Sequence, residues 1–64
     1  METIKENGEY RLVEGYGQYF NKRYEVQKKY SYWENNKKVY GWCLEFHSEN
    51  LQLCIEAYNR RVKE

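Results

Sequence analysis

Near His47 the apolar residues change their spacing from every second position to about every 3.6, and this change restricts the chain to strands followed by one helix. Upstream, Tyr10, Leu12 and Tyr16 alternate with Arg11 and Val13, which predicts a strand over about 9–16 ending in a turn at Gly15-Tyr16-Gly17. The alternation continues through Tyr24, Val26, Tyr30 and Tyr32, predicting a strand over about 22–33, and through Tyr40, Trp42, Leu44 and Phe46, predicting another over about 38–46. Downstream, Leu51, Cys54, Ile55, Tyr58 and Val62 form one apolar stripe of a helix over about 49–63. Ser48 is placed to cap that helix, with Glu49 at its start and Arg60, Arg61 and Lys63 at its end, each sign matched to the macrodipole. The expected fold is α+β, a three-stranded antiparallel sheet with one C-terminal helix packed on one face (βββα), forming a single domain over residues 1–64.

How the second and third strands join decides which side chains meet the helix. A two-residue loop at Asn35-Asn36 would pair Tyr32 with Val39 and Tyr30 with Gly41, leaving Trp42 and Leu44 on the side away from Val26. A three-residue loop, Asn35-Asn36-Lys37, pairs Tyr32 with Tyr40, Tyr30 with Trp42 and Val26 with Phe46 and keeps the aromatic residues on one face. The second register is the one expected, and it sets the helix over Tyr30, Trp42, Leu44 and Phe46.

Sixty-four residues hold one core, and a core of that size rarely supplies more than about 3–5 kcal/mol without disulfides, metal or a second subunit. Self-association into a homo-oligomer is one way to supplement it. An aromatic content of 19% argues against a disordered chain. No uncharged run approaches the roughly 20 residues of a membrane span, and residues 1–9 carry neither a basic leader nor an apolar segment, so no membrane role and a cytoplasmic location are expected. In that compartment Cys43 and Cys54 read as reduced thiols on opposite sides of the sheet, too far apart to bridge.

Catalytic chemistry finds little to work with. A nucleophilic triad needs a base held by an orienting acid, and the chain has one His and no Asp. His47, Cys43 and Cys54 match no common metal spacing, and Gly15-Tyr16-Gly17 lacks the strand and helix that a phosphate loop requires. Neither enzyme activity, metal nor cofactor is expected.

The net charge of +1 gives no global bias toward nucleic acid, but its distribution is uneven. Residues 1–20 hold four Glu against Lys5 and Arg11, whereas residues 21–38 hold Lys22, Arg23, Lys28, Lys29, Lys37 and Lys38 against Glu25 and Glu34. The sheet face left uncovered by the helix is expected to carry Arg11, Val13, Arg23, Gln27, Lys29, Ser31 and Trp33, with Val39 and Cys43, and also Glu25 and Glu45.

The order of elements, with Val39-Tyr40-Gly41-Trp42, Phe46-His47-Ser48 and Glu56-Ala57-Tyr58-Asn59, resembles the layout of plant ethylene-response-factor and integrase arm-binding domains over about residues 10–59. That resemblance implies DNA reading by the sheet face, although the plant domains' arginine-and-tryptophan run is not reproduced. The chain is also similar to short phage and mobile-element proteins of this plan, which implies a modulator or inhibitor bound to a host protein. A protein partner is the first expectation, because net charge is near zero and Glu25 and Glu45 would face any phosphate. Nucleic acid is the alternative, with Arg11, Arg23, Lys28, Lys29 and Lys37 on phosphates and Trp33 or Gln27 near bases.

Overall fold

The computed structural model describes residues 1–17 and 21–63. Among these residues five elements follow in order: β1 (Glu2–Glu6), β2 (Tyr10–Tyr16), β3 (Lys22–Glu34), β4 (Lys37–Ser48) and α1 (Leu51–Val62). The strands form one antiparallel meander, β1-β2-β3-β4, with the helix against one face. The sheet therefore has four strands rather than three, and the chain departs from a βββα layout by its first strand.

The strand missed by periodicity is β1, whose five residues are all exposed and include one apolar side chain, Ile4. Its turn carries the sequence signal. In Asn7-Gly8, Gly8 takes φ +93°, and Asn7 Oδ1 accepts from the backbone N–H groups of Glu9 at 3.1 Å and Tyr10 at 2.7 Å. The turn expected at Gly15-Tyr16-Gly17 begins later, since Gly15 and Tyr16 still pair with Arg23 and Lys22. The connection closes with Gly17 N–H donating to Asn21 O at 2.8 Å, and residues 18–20 within it lie outside the described residues.

β3 and β4 are joined by Asn35-Asn36 alone, at φ 50° and 64°, a two-residue turn with both residues left-handed. Tyr32 consequently pairs with Val39, Tyr30 with Gly41 and Lys29 with Trp42, which is not the expected register. If that register ran unbroken, Val26 would face Glu45 and Phe46 would point away from the helix. It is broken between Val26 and Gln27: Gln27 pairs with Leu44 and Val26 with Phe46, leaving Glu45 as an extra residue in a β-bulge. The expected register thus holds on the helix side of the bulge and fails on the turn side.

The core lies where β2, β3 and α1 cross. Leu12, Val26, Cys54, Ala57 and Tyr58 are buried together, with Tyr10, Tyr24, Phe46, Leu51 and Ile55 packed around them. Ala57, outside the expected apolar stripe, is buried, and Val62, expected within it, is exposed. Asn50, not Ser48, caps the helix, accepting from Gln52 N–H at 2.9 Å and Leu53 N–H at 3.4 Å, while Ser48 Oγ accepts from Asn50 N–H at 3.0 Å. Glu49 falls before the helix, and Arg60 and Arg61 occupy its last turn as expected.

Of the side chains expected beneath the helix, only Phe46 is there. Tyr30 lies beyond its reach on the same face, and Trp42 and Leu44 face the other way. β2 stops at Tyr10, opposite Lys28, with one more bond from Lys29 N–H to Glu9 O at 2.8 Å. Past that point β3 and β4 continue as a two-stranded ribbon. The molecule is accordingly long and flat, 40 × 30 × 15 Å.

Candidate binding face

Two registers in one hairpin give the uncovered face an unusual set of side chains. On β2 and β3, odd-numbered residues point away from the helix, because Leu12 and Val26 point toward it. On β4, beyond the bulge, even-numbered residues share that outer face, because Trp42 pairs with Lys29 and Tyr40 with Ser31.

Arg11, Val13, Arg23, Gln27, Lys29, Ser31 and Trp33 therefore lie where the sequence places them. Val39 and Cys43 do not. The two-residue turn shifts β4 by one, so they stand on the helix side opposite Tyr32 and Lys28, and Lys38, Tyr40, Trp42 and Leu44 take the outer positions. Lys28 and Lys37 are likewise on the helix-side surface, since Lys28 pairs with Tyr10 across one ladder and Lys37 with Glu34 across the other. The candidate partner residues are thus split: Arg11, Arg23, Gln27, Lys29 and Trp33 on one face, Lys28 and Lys37 on its reverse.

A polar chain crosses the outer face beside buried Val13. Arg11 Nε donates to Gln27 Oε1 at 2.6 Å, and Gln27 Nε2 donates to Glu25 Oε1 at 3.0 Å. Glu25 Oε2 lies 3.4 Å from Arg23 Nε, which makes no hydrogen bond among the described residues. Gln27 is only 8% exposed and is held at both ends of its amide. Glu25 has one oxygen bonded to Gln27 and the other in an ion pair.

From Arg11 outward, cations and rings alternate. The Arg11 guanidinium sits over Trp42 at 4.2 Å, Lys29 Nζ is 5.8 Å from Trp42 and 5.0 Å from Tyr40, and Lys38 Nζ is 5.7 Å from Tyr40. Each such contact is worth about 0.5–1 kcal/mol at an exposed site, so they order the side chains without removing their charge. Trp33, paired with Lys38 near the ribbon's end, is 73% exposed, and Tyr40 is 57% exposed.

The reverse of the ribbon is more apolar. Tyr30 and Tyr32 stack at 6.0 Å with 22° between their planes. The Tyr30 ring also covers its cross-strand partner Gly41, where a Cβ would come within 2.5 Å of Tyr30 Cζ and Oη. Lys28 Nζ lies 5.7 Å from the Tyr10 ring on this side.

Glu45, expected on the outer face, instead lines an open depression of about 510 Å³ on the helix side with Tyr10, Phe46, Ala57, Arg60 and Arg61. Arg61 Nη1 in that depression donates to Ala57 O at 3.1 Å. His47 pairs with Glu25 on the outer face, away from both thiols. Cys43 and Cys54 are on the same side of the sheet, contrary to expectation, but Cys43 is exposed on β4 and Cys54 is enclosed in the core; both are free thiols. Burial pushes the Cys54 thiol above its ordinary pKa, with a contact to Ser48 O opposing the rise. Among the described residues no helix is long and apolar enough to cross a membrane.

Compared with protein-family models, curated proteins and solved structures, the chain matches none.

Proposed function

We propose that the protein is a non-catalytic module that binds nucleic acid with the outer face of its sheet. The observation that carries this reading is the alternation Arg11, Trp42, Lys29, Tyr40, Lys38 across the sheet face turned away from α1, continued by the exposed Trp33. Cations that neutralise phosphates and rings that accept bases are the two components such a surface needs. The case for a protein partner leaned on the near-zero net charge, which stands, and on Glu25 and Glu45 facing the ligand. The bulge takes Glu45 to the helix side, and Glu25 is engaged by Gln27 and Arg23. Arg11, Arg23, Lys29 and Lys38 then outnumber the acids of this face, Glu25 and the β1 residue Glu6 opposite Arg11.

A protein partner is the second reading, favoured by the stacked Tyr30 and Tyr32 on the ribbon's reverse and by the outer edge of β4, which pairs with no strand among the described residues. An edge of that kind accepts an added strand, from a host protein or from a second copy of this chain.

Fluorescence anisotropy with labelled oligonucleotides tests the proposal. Four neutralised phosphates should make log affinity fall against log salt with a slope of about −3 to −4. A folded protein that binds no single-stranded or duplex oligonucleotide at low salt would overturn it.

A further inference from the structure

We infer that the ligand of the outer face is a single strand of nucleic acid whose bases stack on Trp33 and Tyr40, an inference that rests on the nucleic-acid reading above. Three features of the face separate a single strand from a duplex.

The first is what the face lacks. Base edges in a groove are read by Asn or Gln amides at adenine, by Arg or Lys at guanine and by hydroxyls at either. The amide of Gln27 is buried and bonded at both ends, and Arg11 is laid on Trp42 with its Nε bonded to Gln27. Ser31 and Tyr40 supply hydroxyls there, and Arg23, Lys29 and Lys38 supply cations, but the described strands offer no free amide to adenine on this face.

The second is what the face exposes. Trp33 and Tyr40 are 73% and 57% exposed on the ribbon's outer face, which none of the described elements covers. Bases in a duplex are stacked on one another and offer their flat surfaces only at the ends, whereas every base of a single strand has a free π-face.

The third is spacing. Trp33 pairs with Lys38, two residues along β4 from Tyr40, so Trp33 and Tyr40 are diagonal neighbours about 7–8 Å apart, roughly twice the 3.4 Å rise per nucleotide of a duplex strand. Consecutive nucleotides reach consecutive rings only if the strand is unstacked and extended. Lys29 and Lys38 flank Tyr40 at 5.0 and 5.7 Å, placing positive charge beside each step of such a strand. Trp42, held between Arg11 and Lys29, sets the inner end of the track.

The experiment is anisotropy with a labelled oligothymidine, an oligouridine and a mixed-sequence duplex, each at several salt concentrations. The single strands should bind at least about tenfold more tightly than the duplex at equal salt. Replacing Trp33 by Ala should weaken single-strand binding about 5- to 150-fold, the range for losing one stacked base, with the salt slope unchanged. Trp33→Phe should restore most of the loss. Lys29→Ala with Lys38→Ala should instead reduce the slope by about 1.4. Trp33 and Lys38 are exposed, so an unchanged circular dichroism spectrum and thermal midpoint establish that each variant is folded. Duplex bound as tightly as single strand, or Trp33→Ala without effect on single-strand affinity, would overturn the inference while leaving nucleic-acid binding standing. Binding of neither form at low salt, with a protein ligand the outcome to pursue, would overturn both.

Discussion

The two halves of the β3–β4 hairpin share one turn and nearly the same residue types, yet one half builds the core and the other builds a surface. On the helix side of Glu45, Val26 and Phe46 face α1 and are packed into the core cluster. On the turn side, aromatic side chains outnumber the elements available to cover them, and Tyr30, Tyr32, Trp33 and Tyr40 stay exposed. One extra residue separates the halves. It turns Phe46 inward while Leu44, Trp42 and Tyr40 remain outward. The comparison shows that aromatic content measures neither core nor site by itself: the same residue type stabilises where α1 lies over the sheet and contributes contact surface where it does not.

The largest expected effect lies in the covered half. Leu12→Ala removes a side chain that is fully buried between sheet and helix, at a cost of about 2–5 kcal/mol. That is comparable with the whole stability of a domain this small, so thermal unfolding should show the variant largely unfolded at room temperature. Trp42→Ala comes next. Because Trp42 is half-buried on the outer face beneath Arg11, it should cost about 1–2 kcal/mol, below the 3–5 of a buried large aromatic. A loss as large as that of Leu12→Ala would put Trp42 in the core and merge the two halves.

Deleting Glu45 sharpens the comparison. With the extra residue gone, Gln27 opposite Leu44 and Val26 opposite Phe46 become neighbouring rungs of a regular ladder, and neither face changes its side chains. The variant should remain folded, within about 1 kcal/mol of the parent. Unfolding in denaturant at a much lower midpoint would show that the bulge is not where the two registers meet.

The smallest effect concerns the thiols. Cys43, exposed on the ribbon side, should react quickly with a chromogenic disulfide reagent, and Cys54, enclosed and with its pKa raised by burial, slowly. A folded-state pKa above the unfolded value means that the native chain holds the proton more tightly. The associated stability is therefore complete below the ordinary thiol range near ~8.5 and is lost as pH rises through the raised value. Cys54→Ala should have a thermal midpoint that declines less between neutral and alkaline pH than the parent's, while Cys43→Ser should decline as the parent does.

Much of this was legible from residue spacing, and the rest failed for identifiable reasons. The strands β2, β3 and β4 and the helix follow from period, because each buries part of one face against another element, while the cap fell on Asn50 rather than Ser48. β1 buries nothing, so periodicity was silent and only Asn7-Gly8 announced it. The outer face was read correctly on β2 and β3, where alternation is unbroken. It was read one residue out of phase on β4, because a regular ladder cannot place both Asn35-Asn36 in a two-residue turn and Phe46 over the core. Two adjacent left-handed Asn residues signal the two-residue turn in advance. Taken with the apolar Phe46, they imply a bulge somewhere between. What no local pattern supplies is its position, between Val26 and Gln27 on one strand and at Glu45 on the other.

The outer face can be tested residue by residue by following amide and indole NMR signals while a single-stranded oligothymidine is added at low salt. Signals of Lys29, Trp33, Tyr40 and Trp42, with the Trp33 indole shifting most, should move together while Leu12, Val26 and Ala57 stay in place. Shifts centred instead on Tyr30 and Tyr32, or on the depression at Glu45, Arg60 and Arg61, would contradict the assignment of the binding surface.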